Sequence, residues 1–251
     1  MTIQATAKTG AEAVNITTTA DVDGIYDTIK DFFKEYNELI KAMDTAYNAT
    51  NAKGYEPLTS EEKEAMTEDE IEKWEKKIKD SLLRKDTTLG NTSTALKNMM
   101  SMTIEIEGKK YSLASFGIKT QGYFDSGANE KGVYHIDGDK DDSVSSGNED
   151  KLKAMIASDP EVVLKFFSEL STNVYQDLGK RMAATSMSSI YTIYNDKEMA
   201  TQYSEYNTKI SDKEDEITSW EDYYYDKFSR MESALASLNS QQSSLSGLLG
   251  M

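Results

Sequence analysis

Near its C-terminus, over residues 199–249, the chain reads MATQYSEYNTKISDKEDEITSWEDYYYDKFSRMESALASLNSQQSSLSGLL. Seven residues at consecutive seven-residue steps in this segment are apolar or aromatic and are called the seam: Tyr203, Ile210, Ile217, Tyr224, Met231, Leu238 and Leu245. A seven-residue apolar repeat lies along one side of a helix, and it is removed from water only when another helix packs on it. At 1.5 Å per residue this helix would be roughly 75 Å long. The pattern therefore predicts a long C-terminal coiled-coil helix that docks on a partner.

A second apolar row along this helix changes side near Tyr224. In the first half of the helix, Tyr206 and Trp220 each lie three positions after a seam residue. In the second half, the residues of this row lie four positions after a seam residue: Phe228, Leu235 and Leu249. Such a drift indicates either a bend or a helix that faces one neighbour with its first half and another with its second.

The composition is that of an acidic protein with a globular body. The chain has 251 residues, of which 38% are hydrophobic, and a formal net charge of -16. This charge argues against a nucleic-acid partner and against an anionic membrane surface. No segment approaches the roughly 18 apolar residues of a membrane-spanning helix, and the first twenty residues lack a secretory apolar core. Because there is no cysteine, a disulfide and a thiolate metal site are excluded.

Apolar residues at three- and four-residue spacing predict that a helical bundle forms the body. One helix covers residues 21–47, with Asp21 or Thr19 as its N-cap. A later one begins at Pro160, after the cap residue Asp159, and continues to about residue 182.

Two capping boxes mark further helix starts. Thr59 pairs with Glu62, and Thr67 pairs with Glu70. The second box begins a helix whose apolar face is expected to need a partner helix and consists of Ile71, Trp74, Ile78 and Leu82.

A small antiparallel sheet is predicted between a short helix at residues 93–100 and the helices that resume near residue 149. Apolar residues alternate over residues 104–113 on both sides of a turn at Glu107 and Gly108. Further strands are expected within residues 116–123 and 133–136, with a loop at residues 125–132 between them.

Three regions are predicted in all. Residues 1–20 end in an isolated strand, which suggests the last strand of an upstream head domain. Residues 21–190 form a helical body with the small sheet, and residues 191–251 form a coiled-coil leg that follows a hinge at residues 186–189. The predicted fold is mainly α: a helical bundle with a small antiparallel β-sheet insertion and a long C-terminal coiled-coil helix.

An acidic loop offers the strongest candidate for a metal site. Asp137, Asp139 and Asp141 have the alternate spacing of the first ligands of an EF-hand calcium loop. The match then fails, because Asp142 replaces the required glycine and Asn148 replaces the final bidentate glutamate. Two interpretations follow, a solvated acidic loop or a weak calcium site, and the first is preferred.

No catalytic constellation is found, so neither an enzyme nor a cofactor is predicted. His135 is the only histidine, which excludes a His/His metal pair, and a structural role at a strand end is expected for it. Trp220 and the tyrosines at residues 223–225 could stack on a sugar or a base, but a helix interface explains them better.

Several segments resemble the C-terminal portion of the flagellar filament cap family, FliD or hook-associated protein 2. The most specific is GYEPLTSEEKEAMTEDEIEKWEKKIKDSLLRKDTTL at residues 54–89. Residues 23–39, 113–118, 148–167 and 225–249 are similar to further family segments in the same order. Two departures fall in loops: the acidic insertion at residues 138–147, and the serines at residues 186–189, where many members have glycine.

The resemblance implies a secreted, extracellular structural protein at the tip of the bacterial flagellum. It would form a ring oligomer with itself and promote flagellin insertion, and a cytoplasmic export chaperone would bind the same region before secretion. Its contacts to these partners are expected at Tyr203, Ile210, Ile217, Trp220, Tyr224, Phe228, Met231, Leu235, Leu238, Leu245 and Leu249. Two alternatives stay open: a coiled-coil surface adhesin that binds host glycans or mucin in cell adhesion, and, with less support, a divergent hydrolase.

Overall fold

The computed structural model describes residues 20–122 and 124–249, and for residues 246–249 it describes the backbone alone. The strand predicted within residues 13–19 lies outside the described residues. The chain divides between Arg181 and Met182 into two units, and each is described by itself.

The first unit is mainly helical, and its helices begin where the sequence places capping residues. Asp21 caps the first helix because its carboxylate accepts a hydrogen bond of 3.0 Å from the Gly24 N–H. Asp159 caps the last, accepting from the Val162 N–H at 3.2 Å. The described helices of this unit are α1 (Val22–Tyr47), α2 (Ser60–Glu64), α3 (Glu68–Ser81), α4 (Thr87–Met100), α5 (Lys151–Ser158) and α6 (Pro160–Arg181).

Both predicted capping boxes are confirmed, at the starts of α2 and α3. The apolar face of α3 was expected to pack on a partner helix, but at Trp74 it packs on a loop instead. The Trp74 ring packs against Tyr55 at a centroid distance of 4.6 Å, and its indole N–H donates to the Glu56 carbonyl at 2.8 Å. The loop before α2 therefore covers part of this face, and no residue of α3 is fully buried.

The predicted small sheet consists of two antiparallel hairpins. Strand β1 (Ile104–Ile106) pairs with β2 (Lys109–Tyr111), and β3 (Ile118–Thr120) pairs with β4 (Tyr134–Ile136). Residues Glu107 and Gly108 make the first turn, both with positive φ, 53° and 75°, as a tight two-residue hairpin turn requires. A single 3₁₀ turn, Leu113–Phe116, separates the hairpins and shortens the strand expected from residue 116.

An aromatic cluster joins the helices to the hairpins. Phe116 is fully buried, with its ring 4.7 Å from that of Phe166 and 5.5 Å from that of Phe167, both on α6. Phe33 of α1 packs edge-on against Phe167 at 6.3 Å and contacts Tyr134 of β4 at 5.6 Å. Around it the core is completed by apolar residues of α1, α4, α5 and α6, including Ile40, Leu96, Met100, Leu152, Ile156, Val163 and Leu170.

Over its described residues, 182–249, the second unit contains one helix, α7 (Asp196–Leu249), preceded by irregular backbone at residues 182–195. Within the segment predicted as a hinge, Ser188 is buried and its N–H donates to the Thr185 hydroxyl at 2.9 Å. The Ser189 N–H donates to Asp196 at the start of α7, at 2.6 Å. This segment is a hydrogen-bonded turn, and its action as a hinge stays a prediction.

The mainly helical class, the small antiparallel insertion and the long C-terminal helix are therefore confirmed. The boundaries proposed for the three regions, 1–20, 21–190 and 191–251, stay predictions.

We expect Leu170→Ala to lower the free energy of unfolding of the first unit by about 2–5 kcal/mol, since it leaves a cavity in a close-packed core. Leu170 is fully buried, whereas Leu164 on the same helix is 52% exposed. Leu164→Ala is thus the matched control, with an expected loss below about 1 kcal/mol. Urea unfolding followed by circular dichroism checks both, and equal losses would contradict the packing described for α6.

Candidate functional site

Helix α7 presents the predicted contact residues to solvent. Leu249 lies where side chains are not described, but the other ten are exposed, from 49% for Tyr224 to 71% for Tyr203. In a globular body such residues would be core, so this helix face is an apolar surface without a packing partner among the described residues. Tyr206, 63% exposed, lies beside the seam and was not among the predicted contacts, although its position three residues after Tyr203 could have identified it.

Local interactions support the helix on which this surface lies. Lys213 pairs with Glu216 at 2.5 Å, and Arg230 pairs with Asp226 at 2.7 Å, in the i,i+3 and i,i+4 arrangements that stabilise helices. Neither of the two prolines of the chain falls within α7. An uninterrupted helix of 54 residues follows.

The middle of α7 carries an aromatic group. The Trp220 ring meets Tyr223 edge-on at 5.9 Å and lies 6.2 Å from the Tyr224 ring. The rings of Trp220 and Tyr224 line a shallow, mainly apolar depression of about 400 Å³, together with Ile217, Tyr225 and Phe228. Large rings held by one another on a helix surface are typical anchors for a protein partner.

The acidic loop after β4 is not solvated at two of its three leading aspartates, so the preferred interpretation is wrong there. Asp137 and Asp139 are buried, with 6% and 9% exposure. Asp137 accepts hydrogen bonds from Asn148 at 2.7 Å and from Lys119 at 3.0 Å. These partners make the loop part of the folded body.

Lys30 of α1 joins the loop to the helical bundle. Its ammonium group lies 2.7 Å from Asp139 and 2.6 Å from Asp141. The hydrogen bonds to both carboxylates raise the pKa of Lys30 and hold the pKa of Asp141 below its usual value. No sequence signal pointed to Lys30, because 109 residues separate it from Asp139.

His135 has the structural position expected for it, on β4. Its Nδ1 atom lies 2.7 Å from Asp142, whose other oxygen accepts the Val144 N–H at 2.9 Å. Burial raises the pKa of Asp142, but the Val144 N–H and His135 outweigh it, so the pKa falls below its ordinary value. The pair fixes the loop to the strand end.

The described residues contain no group of three or more His, Cys, Asp or Glu side chains arranged to hold a metal ion. Lys30 and Lys119 form ion pairs with the aspartate carboxylates that a calcium ion would need as ligands. In the same described ranges, no helix is both long enough and apolar enough to cross a membrane.

The geometry defines a class of protein: a small helical body whose chain also bears a long helix with an exposed apolar face, a surface suited to assembly with other chains. The particular family follows from the sequence. Residues 1–240 match the family described as flagellar hook-associated protein 2 C-terminus, FliD_C, and the chain belongs to that family. The resemblance found from residues 54–89 is confirmed.

One curated relative is the flagellar hook-associated protein 2 of Halalkalibacterium halodurans. It is 22% identical over 265 aligned residues, which cover 94% of this chain and 47% of the relative. The chain thus spans about half the length of the curated relative that it matches. No solved structure matches it significantly.

We expect Asp139→Asn to lower the free energy of unfolding by about 1–3 kcal/mol, because it removes a charged partner of Lys30 at a buried position. The matched control is Asp141→Asn, which removes the other partner; that side chain is 84% exposed, so we expect a smaller loss than for Asp139→Asn. Urea unfolding at neutral pH measures both. A larger loss for Asp141→Asn would contradict the assignment of Asp139 as the main anchor.

The depressed pKa of Asp142 predicts a loss of stability in acid. A folded-state pKa below the ordinary aspartate value of 3.8 contributes stability above that value, and the contribution disappears as pH falls through the folded pKa. Between about pH 5 and pH 2, the unfolding free energy should therefore fall less steeply for Asp142→Asn than for the unsubstituted chain. Urea unfolding at several pH values tests this, and parallel curves would show that Asp142 has no such role.

Proposed function

We propose that the chain is the C-terminal portion of an oligomeric scaffold that caps the flagellar filament outside the cell and promotes flagellin insertion. Family membership supports a cap role, and the hook-associated relative carries a name of the same kind. The single observation that carries the contact mechanism is the exposed apolar face of α7. A scaffold acts by binding, and this surface provides the means.

The proposed contacts are the seam of α7 with Trp220, Phe228, Leu235 and Leu249. In the assembled state these residues would pack on flagellin subunits at the filament end and on neighbouring copies in a ring. The packing would be that of a coiled coil or of a helix lying on the filament end. Removing one Met or Leu side chain from water stabilises such a contact by about 1.5–3 kcal/mol. A row of them is enough for a specific attachment.

Before secretion the same face would be bound by a cytoplasmic export chaperone. An apolar surface of this length is an aggregation hazard while it is uncovered. Covering it in the cytoplasm and releasing it at the filament tip would use one set of residues for two partners in succession.

The test introduces Met231→Asp and Leu235→Asp together into the full-length protein in a motile strain that lacks its own copy. We expect loss of swimming, loss of filament elongation and release of flagellin monomers into the medium, because two charges are placed on the contact face. Chaperone binding, measured with purified proteins, should fall as well.

The matched control is Ser229→Asp with Ser233→Asp, which adds the same charge to the opposite face of α7. It should keep normal motility. Normal filaments in the first variant would contradict the contact proposal, and so would unfolding of the first unit in circular dichroism, since the docking face would then not be separable. Loss of binding to a mucin array with normal motility would support the surface adhesin instead.

A further inference from the structure

The first unit contains a polar cleft that the proposed contacts do not use. The end of α1, helix α4 with the turn before it, and the loop between β3 and β4 surround this cleft. Its volume is about 670 Å³, within the size range of pockets that hold small molecules. Asparagine, threonine and lysine side chains make up much of its lining, which indicates a polar ligand.

The cleft is positively charged, although the chain as a whole carries a formal net charge of -16. Lys85, Lys97 and Lys131 lie on its lining, and we call it the lysine cleft. Among the described residues that line it, Asp44 is the single carboxylate, so two positive charges are left uncompensated within the lining. The lysines come from three separate segments, and only the fold brings them together. Such a local concentration of positive charge attracts an anion.

Lys97 is held in the lysine cleft by a buried carboxylate. Asp44 is 8% exposed, and its two oxygens lie 2.8 Å and 2.7 Å from the Lys97 ammonium. The Ser93 hydroxyl also donates to Asp44, at 3.0 Å. An ammonium group has three N–H donors, and the third one of Lys97 has no partner in the described part of the chain. Lys97 is therefore fixed in position and can still donate to a ligand.

Lys85 is positioned without a carboxylate. Its backbone N–H donates to the Tyr47 carbonyl at 2.9 Å, with a φ of 57°, which is uncommon for a residue other than glycine. Its ammonium group donates to the Asn48 side-chain oxygen at 3.0 Å and lies 4.5 Å from the centre of the Tyr47 ring. Both of these partners are neutral. The charge of Lys85 is thus not cancelled by an ion pair with any described residue, and a bound anion could meet it.

We propose that the lysine cleft binds a sugar phosphate. A phosphate monoester carries a charge of about -1.5 to -2 at neutral pH, which matches the two uncompensated positive charges of the lining. Lysine binds phosphate as a point charge, whereas planar recognition of a carboxylate favours arginine. The described lining contains no arginine, so its composition favours phosphate over a carboxylate ligand.

The neutral part of the lining favours a sugar as the remainder of the ligand. Thr87, Asn91 and Asn129 offer hydroxyl and amide groups, which can both donate and accept hydrogen bonds. Sugar hydroxyls do the same, so they find matching partners here. The proposal goes beyond the capping role and does not depend on it, because it uses no residue of α7.

The test is a titration of the full chain, labelled with ¹⁵N, with glucose 6-phosphate, followed by nuclear magnetic resonance. Salt at about 0.15 M screens general attraction between the anion and exposed lysines. We expect the backbone amide signals of Asn91 and Asn129 to shift and to reach saturation. Inorganic phosphate should cause the same shifts with weaker affinity, and glucose alone should cause none.

The variant Lys85→Gln should raise the dissociation constant for glucose 6-phosphate at least about tenfold, because a hydrogen bond between two charged groups is lost. The matched control is Lys110→Gln, which removes the same charge from an exposed residue of β2 outside the lysine cleft. It should leave the dissociation constant unchanged. Unshifted amide signals of the core residues Leu96 and Ile40 in both variants would show that the fold is intact.

Four results would overturn the proposal. The first is the absence of shifts in the lysine cleft at about 10 mM glucose 6-phosphate, a concentration at which even a 1 mM site is mostly filled. The second is equal weakening by Lys85→Gln and Lys110→Gln, which would show general charge attraction. Equal affinity for inorganic phosphate and glucose 6-phosphate would refute recognition of the sugar, and binding of glucose alone with the same affinity would refute recognition of the phosphate.

Discussion

The ring of Phe116 is the point at which the parts of the first unit meet. It lies on the short turn between the two hairpins, fully buried against Phe166 and Phe167. Isolated two-stranded hairpins have little stability of their own in water. Packing a ring between them and α6 removes a large apolar area from water and fixes both hairpins on the helices, and Phe33 extends the same contact to α1.

Burial of apolar surface also governs helix α7, but here the surface stays exposed within the single chain. Its apolar residues have the spacing of a packed helix, yet they are exposed in a single chain, so the free energy of covering them is available for association. In the proposed function, this face would be covered by the capping contacts at the filament and, before secretion, by an export chaperone. Both would compete for one stripe, and the order in which the partners are met would decide which contact forms.

The acidic loop illustrates a second kind of constraint. Its aspartates resemble calcium ligands in sequence, but Lys30, Lys119 and His135 supply the opposing groups. Buried carboxylates must be paired, and Lys30 and Lys119 meet that need for Asp139 and Asp137. Its ion pairs with Lys30 and Lys119 fix the loop to the helical body.

Much of the fold could be predicted from local signals. The spacing of apolar residues, the caps Asp21, Thr59, Thr67 and Asp159 and the Glu107–Gly108 turn each act within a few residues, so they are legible in the sequence and were confirmed. The candidate surface on α7 could also be predicted, since a heptad pattern is local. The partners of this surface could not be predicted, because an apolar stripe indicates that a partner packs on it but does not identify that partner.

Tertiary structure alone decided the remainder. Burial of Asp137 and Asp139 depends on Lys119 and on Lys30, the latter more than a hundred residues away along the chain. The covering of Trp74 by Tyr55 depends on the path of a loop. The sequence by itself determined which segments are helices and that α7 carries an apolar face; only the three-dimensional arrangement decided which charges are paired, because pairing depends on distance in space and not on separation along the chain.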